Sequence, residues 1–242
     1  MTLLAASGYP LRQIKSWVRR ETSLSEMEKN FLEKCPHYLK NLNEMIALSS
    51  NKAASGIPLF LDIGCGDGQS TLQLSKWAPQ ACVIGVEMHT PGIAKCLLQA
   101  HTEALENLFL FQGDIWDFLD LKTDLIFDRI HLYFSDPWPK ARHHKRRLVQ
   151  KDFFEALPKH MSRNTVIHIA TDWANYAEHI DSVLKECENF LSYSSQHDYS
   201  SMGSEFLRNP TKYEKKGLAK GHSISEFYIQ LKREGQLSEK KS

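Results

Sequence analysis

The sequence predicts an α/β protein built on a doubly wound, mostly parallel sheet. The alternation of apolar runs with helical stretches predicts the sheet, and the composition and length predict one globular domain. Short apolar runs that end at a turn residue or an acid alternate with stretches of helical spacing along the 242-residue chain. Strands that alternate with helices in this way are typical of parallel sheets. The apolar content is 42% and the charged content 24%, which is ordinary for a globular protein. The length suffices for one large domain with its own core.

The first 55 residues are predicted to form an extension in front of this domain. Residues 25–48 have helical apolar spacing that Pro36 interrupts, and residues 49–58 have the composition of a linker. In residues 17–20, the apolar Trp17 and Val18 are followed by two arginines. They are either an exposed helix end or an arm that touches nucleic acid or closes over a ligand. The predicted boundaries are an arm over 1–55, a catalytic domain over 56–234 and a frayed tail over 235–242.

A glycine-rich turn follows the first predicted strand of the main domain. Residues 59–63 are apolar apart from Asp62, and Gly64, Gly66 and Gly68 follow at alternate positions before a predicted helix over 69–77. Glycine adopts backbone angles that other residues avoid, and it lets a ligand approach the main chain closely. At the carboxyl end of a strand in an open α/β sheet, such a turn predicts a nucleotide-like ligand.

The remaining elements are predicted in the same alternating order. The predicted strands cover residues 81–87, 108–111, 125–134, 166–170 and 225–231, the predicted helices cover residues 90–105, 148–157 and 176–187, and residues 208–217 are predicted as a polar loop. Five acids then fall at the carboxyl ends of strands: Asp62, Glu87, Asp114, Asp136 and Asp172. This common location predicts one shared site.

The acids and the glycine spacing narrow the choice of ligand. Glu87 lies 19 residues after Gly68 at the end of the second strand, which suits hydrogen bonds to ribose hydroxyls. The spacing G-x-G-x-G departs from the dinucleotide fingerprint and from the phosphate-binding P-loop, which disfavours a nicotinamide dehydrogenase. An acid-rich turn favours a cationic, phosphate-free nucleoside such as S-adenosylmethionine. Asp62 would lie near its sulfonium or amino group, and Asp114 near its adenine amino group.

A rigid loop and a basic run follow the fourth of these strands. Asp136 opens the sequence Asp-Pro-Trp-Pro, whose prolines exclude a helix or a central strand. Five of residues 140–147 are Lys or Arg and none is acidic, although the formal net charge of the chain is only +1. Such a segregated patch predicts nucleic-acid binding, and the alternative is a solvated helix face. The candidate RNA-binding residues are Arg142, His143, His144, Lys145, Arg146 and Arg147.

Cysteine usage and hydropathy exclude several other classes. The five cysteines are scattered, odd in number and form no C-x-x-C pair, which predicts reduced thiols in a cytoplasmic protein and no metal site. No apolar run approaches the roughly 20 residues that a membrane helix needs. The first ten residues lack a basic start followed by a long apolar core, so we expect no secretory signal.

The chain resembles the bacterial tRNA (guanine-N7)-methyltransferase family. The matching motifs are residues 62–68, residues 85–87, residues 136–140 with the basic run to 147, residues 171–173, residues 210–214, and Gly217, Gly221 and His222. The resemblance implies a Rossmann-like class I methyltransferase, with seven strands and an antiparallel last strand. It also implies methyl transfer to the variable-loop guanine at tRNA position 46, by a monomer or homodimer.

The resemblance also implies roles for single residues. By motif, Asp62, Glu87, Asp114 and Asp136 would contact S-adenosylmethionine. Because Asp62 is one methylene shorter than the glutamate that is common in the family, we expect it to reach the donor through a water. The implied substrate-binding residues are Lys140, Asp172, Thr211, Lys212, Tyr213 and Glu214.

The chemistry of guanine N7 then predicts a role for Asp136. N7 carries a free lone pair and needs no general base, so the demands are in-line positioning and stabilisation of positive charge on the purine. Asp136 is predicted to accept hydrogen bonds from the guanine edge, and Asp172 to be a second acceptor or a partner of Lys140. Trp138 would stack on a base or pack internally. Two alternatives stay open: an RNA exocyclic-amine methyltransferase, because Asp-Pro-Trp-Pro is similar to the Asp-Pro-Pro-Tyr loop of amino-methyltransferases, and a non-catalytic tRNA-binding subunit.

Overall fold

The computed structural model describes residues 15–17, 23–120, 125–194 and 211–232. The chain divides after Phe127 into two compact units, Met1–Phe127 and Asp128–Ser242. Among the described residues, no helix is long and apolar enough to cross a membrane. The predicted tail over 235–242 lies outside the described residues, as do residues 18–20 of the predicted arm.

The first unit contains a parallel sheet with helices between its strands. Its strands are β1 Tyr38–Leu39, β2 Leu59–Ile63, β3 Cys82–Glu87 and β4 Leu108–Gln112, in the spatial order β1-β4-β3-β2. Its helices are α1 Glu26–Lys34, α2 Leu42–Ala54, α3 Gln69–Trp77, α4 Thr90–Thr102 and α5 Ile115–Leu119.

Burial along the strands explains why this sheet forms. All five residues of β2 are buried, which is the pattern of a parallel strand that is covered on both faces. In the core, Ile93 and Leu97 of α4 pack in one cluster with Leu108 and Leu110 of β4. Because β2 and β3 pair in parallel, with Ile63 opposite Val86, both strands end at the same edge of the sheet.

The second unit contains the mixed part of the fold. Its strands are β5 Phe127–Tyr133, β6 Met161–Thr171, β7 Phe190–Ser194 and β8 Ser225–Leu231, in the order β5-β6-β8-β7. Its helices are α6 Lys151–Ala156, α7 Ala174–Glu186 and α8 Lys212–Leu218, with 3-10 segments at Ala141–Arg146 and Leu157–His160. Strand β8 runs antiparallel to both β6 and β7, with Ile167 opposite Ile229 in the core.

The predicted fold class is confirmed: the protein is α/β, mostly parallel, with antiparallel pairing at the C-terminal strands. The described strands number eight rather than seven, and the sequence prediction missed β7 and the two-residue β1. The predicted linker over 49–58 is wrong in its first part, because α2 continues to Ala54. The predicted loop over 208–217 is wrong from Lys212 onward, because a helix begins there.

Candidate active site

The three glycines of the turn after β2 all have left-handed backbone angles. The φ angles are +68° at Gly64, +60° at Gly66 and +79° at Gly68. Gly68 also has no room for a side chain, because a Cβ there would overlap the side chain of Cys96. Gly66 differs, since a Cβ there would meet nothing within 4 Å. The turn therefore needs glycine for its backbone at three positions and for close packing at Gly68.

Glu87, at the end of β3, joins its own turn to the glycine turn. Its Oε2 accepts a hydrogen bond of 2.8 Å from the Gly66 amide. Its Oε1 accepts from the amides of Met88 and His89, at 2.7 Å and 2.8 Å. A carboxylate has about four acceptor positions. These three bonds fix the orientation of Glu87 and leave room for one further donor.

Asp62 is a buried acid that faces the first turn of α3. Only 1% of the residue is exposed, and its Oδ2 accepts hydrogen bonds of 2.7 Å from Ser70 Oγ and from Thr71 Oγ1. Its other oxygen, Oδ1, is buried and has no partner within the described residues. Burial raises the pKa of the Asp62 carboxyl to about 6. The bonds from Thr71 and Ser70 oppose that rise, and the charge of Glu87 adds to it.

Sequence reasoning missed the two hydroxyl residues that hold Asp62. It placed Asp62 near the methyl donor. Within the protein, the structure pairs Asp62 with the hydroxyls of Ser70 and Thr71. The available signal was the placement of Ser70 and Thr71 in the first turn of the helix that follows the glycines, where their side chains point back toward the strand end.

Asp114 follows β4 and has two hydrogen-bond donors. Its Oδ1 accepts from the Trp116 amide at 3.1 Å, which caps the N-terminus of α5. Its Oδ2 accepts a 2.7 Å hydrogen bond from the indole Nε1 of Trp17, 97 residues earlier in the chain. The Lys15 ammonium lies 4.6 Å from the centre of the Trp17 ring. The described part of the N-terminal extension thus reaches one of the predicted donor-binding acids.

In the second unit, Asp136 is exposed at the centre of a strained loop. The two residues around it with left-handed backbone angles are Phe134, with φ +53°, and Trp138, with φ +45°. Bulky residues rarely adopt these angles, and such strain clusters at functional sites. The loop begins one residue after β5, where the Phe134 amide donates to the Ala170 carbonyl of β6 at 2.8 Å.

The Trp138 side chain packs against the basic run. The Arg146 guanidinium carbon lies 3.7 Å from the centre of the indole ring, and the His143 ring meets it edge-on at 5.9 Å. Sequence reasoning left open whether this indole stacks on a base or packs internally. In this structure Arg146 covers one face of the ring, and stacking of the indole on a base stays a prediction.

The basic run divides into exposed residues and one buried residue. Residues 141–146 form the 3-10 segment, with Lys140, Arg142 and Lys145 exposed and with His143, His144 and Arg146 half-buried. Arg147 is only 1% exposed. Its guanidinium binds the Pro137 carbonyl and the Asn175 side chain within the protein. An RNA-contacting side chain must reach solvent, so the prediction of Arg147 as an RNA-binding residue is corrected.

Asp172, directly after β6, is paired with a histidine. His222 Nδ1 donates to Asp172 Oδ2 at 3.1 Å, and the rings of His222 and Trp173 meet edge-to-face at 6.1 Å. Helix α8 approaches closely at Gly217, where a Cβ would lie 2.5 Å from Asp172 Oδ2. Sequence reasoning predicted Asp172 as a second acceptor for the substrate or as a partner of Lys140, and neither role is tested by this contact with His222. It quoted Gly217 and His222 for the resemblance without assigning them a role.

The other predicted substrate residues lie at the start of α8. Thr211 Oγ1 accepts from the Glu214 amide at 3.2 Å, and Glu214 Oε2 accepts from the Thr211 amide at 3.3 Å. This reciprocal pair is a capping box, so both residues fix the helix terminus. Lys212 is exposed, and the Tyr213 side chain lies outside the described part of the structure.

Within the described residues, no group of three or more His, Cys, Asp or Glu side chains is placed to hold a metal ion. The five predicted site acids each lie at or just beyond the end of a strand: Asp62 in β2, Glu87 in β3, Asp114 after β4, Asp136 after β5 and Asp172 after β6. In the first unit Glu87 bonds the glycine turn and Asp62 bonds the first turn of α3. In the second unit Asp136 lies in the loop after β5 and Asp172 contacts His222.

Comparison with known proteins identifies a family that covers most of this chain. A family model described as "Putative methyltransferase" matches residues 57–227. The chain is 37% identical over 220 residues to a tRNA (guanine-N(7)-)-methyltransferase from Pseudoalteromonas translucida, with 90% of each chain covered. It is 35% identical to the protein of the same name from Cronobacter sakazakii, with 90% of this chain and 91% of the relative covered. For the relative from Nitrosococcus oceani, the identity is 36% and the coverage is 88% and 89%.

Proposed function

The chain belongs to the tRNA (guanine-N(7)-)-methyltransferase family, and from this premise we propose that it transfers the methyl group of S-adenosylmethionine to N7 of a guanine in tRNA. The acceptor is the variable-loop guanine at position 46. In this proposal the catalytic domain covers residues 56–234, the preceding residues add α1, β1 and α2 to it with β1 paired to β4, and the enzyme acts in the cytoplasm as a monomer or homodimer.

The observation that carries the donor part of the proposal is the unsatisfied carboxylate oxygen of Asp62. Asp62 Oδ1 is buried without a partner in the described residues, and the neighbouring Glu87 carboxylate keeps one acceptor position open. Burying a hydrogen-bond acceptor of this kind costs free energy unless a hydrogen-bond donor of a ligand reaches it. S-adenosylmethionine fits, because it offers a cationic amino group, a sulfonium, two ribose hydroxyls and no phosphate. Asp62, Glu87 and Asp114 bind these groups, and Gly64, Gly66 and Gly68 let the donor approach the backbone.

The reaction needs no proton transfer at the attacked atom. The lone pair of guanine N7 attacks the methyl carbon, the bond between that carbon and sulfur breaks, and its electron pair returns to sulfur. The sulfur product is a neutral thioether, and the positive charge moves to the purine. Groups that are already aimed at developing charge lower such a barrier without reorganisation.

Asp136 is the catalytic residue of this proposal. Its carboxylate accepts hydrogen bonds from the guanine edge and so stabilises the positive charge that grows on the ring during transfer. The strained backbone around Asp136 holds the carboxylate in one orientation. In the same proposal Asp136 also contacts the donor.

The remaining residues of the second unit bind the tRNA. Lys140, Arg142, Lys145 and Arg146 neutralise backbone phosphates, and His143 and His144 contact the same RNA backbone as hydrogen-bonding groups. Asp172 accepts from the substrate, with His222 as its partner in the protein. The capping box of Thr211 and Glu214 fixes the start of α8. In this proposal Thr211, Lys212, Tyr213 and Glu214 bind the substrate.

One incubation tests the proposal. The protein is mixed with methyl-labelled S-adenosylmethionine and unmodified tRNA, and the product is mapped by nucleoside analysis and by borohydride and aniline cleavage at 7-methylguanine. We expect label in 7-methylguanosine, with a single cleavage at position 46 and none in a tRNA that carries adenine there. Label in an N-methyl exocyclic amine would replace the proposal with the amino-methyltransferase alternative. Donor binding without transfer to any RNA would favour a non-catalytic subunit.

A further inference from the structure

We propose that Arg147 is a positioning residue that holds the Asp136 loop in its catalytic shape and does not bind tRNA. The proposal rests on the proposed function, because it concerns the residue that acts on the guanine. Arg147 ends a basic run whose other arginines are exposed or half-buried, yet it is only 1% exposed itself. A charge that has been removed from water needs partners inside the protein, and those partners show what the residue does.

The partners of Arg147 connect the Asp136 loop to the start of α7. Its Nε donates to the Pro137 carbonyl at 2.9 Å, and its Nη2 donates to Asn175 Oδ1 at 2.6 Å. The guanidinium carbon lies 5.2 Å from the centre of the Tyr176 ring. The planar guanidinium can contact these three groups at once. A lysine ammonium on a flexible stem does not reproduce this arrangement.

The bond to Pro137 acts on the strained part of the loop. The Pro137 carbonyl belongs to the peptide group that leads into Trp138, and the φ angle of Trp138 is the rotation that directly follows that group. A tryptophan at φ +45° persists only where its surroundings hold it. By fixing the plane of this peptide group, Arg147 opposes relaxation of the loop.

Two further contacts hold the loop on either side of Asp136. The neighbouring Arg146 covers the ring of Trp138 at 3.7 Å. On the other side, the Tyr176 hydroxyl lies 3.3 Å from Ser135 Oγ, and it accepts a hydrogen bond from the Val149 amide at the same distance. Asp136 thus lies between Ser135, which contacts Tyr176 of α7, and Trp138, which contacts the basic run. Arg147 contacts both sides, through the Pro137 carbonyl and the Tyr176 ring.

This arrangement predicts a specific kinetic signature. In Arg147→Lys the charge is kept but the planar fork is lost, so we expect kcat at saturating tRNA to fall by about 10- to 100-fold, the size of effect that a small misplacement of a catalytic group produces. The KM for tRNA, the salt dependence of tRNA binding and the affinity for S-adenosylmethionine should stay within about twofold of wild type. Asn175→Ala, at an exposed position, should lower kcat in the same direction by less. Lys185→Ala, on the exposed part of α7, is the matched control without effect.

A double variant separates positioning from a general structural role. If Arg147 acts through Asp136, Arg147→Lys should have almost no further effect on kcat in an Asp136→Asn background. An equal loss in both backgrounds would overturn the proposal, and so would a weaker tRNA affinity with a flatter salt dependence at unchanged kcat. Wild-type turnover on tRNA reports separately on the proposed function, because its absence would be seen before any variant is compared.

Discussion

The two loops that carry the predicted site solve the same backbone problem differently. The turn after β2 and the loop after β5 both follow a mostly buried strand, and both contain residues with φ between +45° and +79°. In the turn these residues are Gly64, Gly66 and Gly68, which adopt such angles at little cost. In the loop they are Phe134 and Trp138, for which the left-handed conformation costs about 1–2 kcal/mol each.

The difference lies in what holds each shape. The glycine turn is held by the end of β3, because the Glu87 carboxylate accepts from the Gly66 amide and the Val86 carbonyl accepts from the Gly64 amide. The loop is held by three side chains from other elements: Arg146 and Arg147 of the basic run and Tyr176 of α7. A loop that is strained and held from outside presents its central residue with little freedom. This suits Asp136 if its task is to meet charge that develops only in the transition state.

The largest expected effect comes from the residue that the strained loop presents. Asp136→Asn keeps the shape of the side chain but removes its charge, so we expect kcat to fall by about 10²- to 10³-fold, or about 3–4 kcal/mol in the activation barrier. Asp136 is exposed, so the melting temperature should hardly move. Single-turnover methylation with saturating tRNA measures the change, with Asp181→Asn, at a half-exposed position on α7, as control. Near-normal turnover of Asp136→Asn would mean that the strained backbone at Phe134 and Trp138 does not serve catalysis through the charge of Asp136.

The sequence predicted the turn far better than the loop, for physical reasons. Three alternate glycines have a local meaning, since each permits a left-handed backbone without help from elsewhere. Phe134 and Trp138 give no such signal, because their angles depend on tertiary contacts. In the sequence Arg147 is indistinguishable from the other cations of its run, because its burial depends on tertiary contacts such as those with Asn175 and Tyr176, 28 and 29 residues later.

Other misses have the same origin. The bond between Trp17 and Asp114 spans 97 residues, and sequence spacing carries no information about such a contact. The two-residue β1 is too short for an alternating pattern to mark it. Helix α8 is different, since Thr211 and Glu214 have the spacing of a capping box and predict a helix start. That signal was in the sequence and was misread as a polar loop.

The glycine turn avoids backbone strain but carries an electrostatic cost, and a pH titration measures it. The pKa of Asp62 rises from an ordinary 3.8 to about 6, mainly through burial. The folded state therefore binds the proton more tightly than the unfolded state. The stabilising contribution is complete below about pH 4 and is lost as the pH rises through about 6. The loss amounts to about 3 kcal/mol.

Asp62→Asn should lack this pH dependence. We expect the free energy of unfolding of wild type, relative to Asp62→Asn, to fall by about 3 kcal/mol between about pH 4 and about pH 7. Urea denaturation of both proteins across that range gives the difference directly, since all other titrating groups are shared. A difference that stays constant with pH would mean that the charge of Asp62 is well solvated in the folded protein.

Two alanine substitutions in the turn separate backbone cost from packing cost. Both Gly66→Ala and Gly68→Ala force a Cβ into a left-handed conformation, for about 1 kcal/mol. Only at Gly68 does the new Cβ overlap Cys96, whereas nothing lies within 4 Å at Gly66. We expect Gly68→Ala to lose about 1–3 kcal/mol more stability in urea denaturation. Equal losses would contradict the packing argument and leave backbone angle as the sole reason for these glycines.

The smallest expected effect concerns the exposed side of the basic run. Lys145 is exposed, and Lys145→Ala should remove one phosphate contact, so the log–log salt dependence of tRNA binding should flatten by about one. Affinity for S-adenosylmethionine should not change, and Lys185→Ala of α7 should leave the salt dependence as it is. Filter binding at several salt concentrations measures the slopes. If Lys145→Ala has the slope of wild type while Arg147→Lys has a flatter one, exposure no longer predicts which residues of the run meet RNA. The exposed residues of the run, which bind RNA, would then no longer be distinct from the buried Arg147, which holds the strained loop.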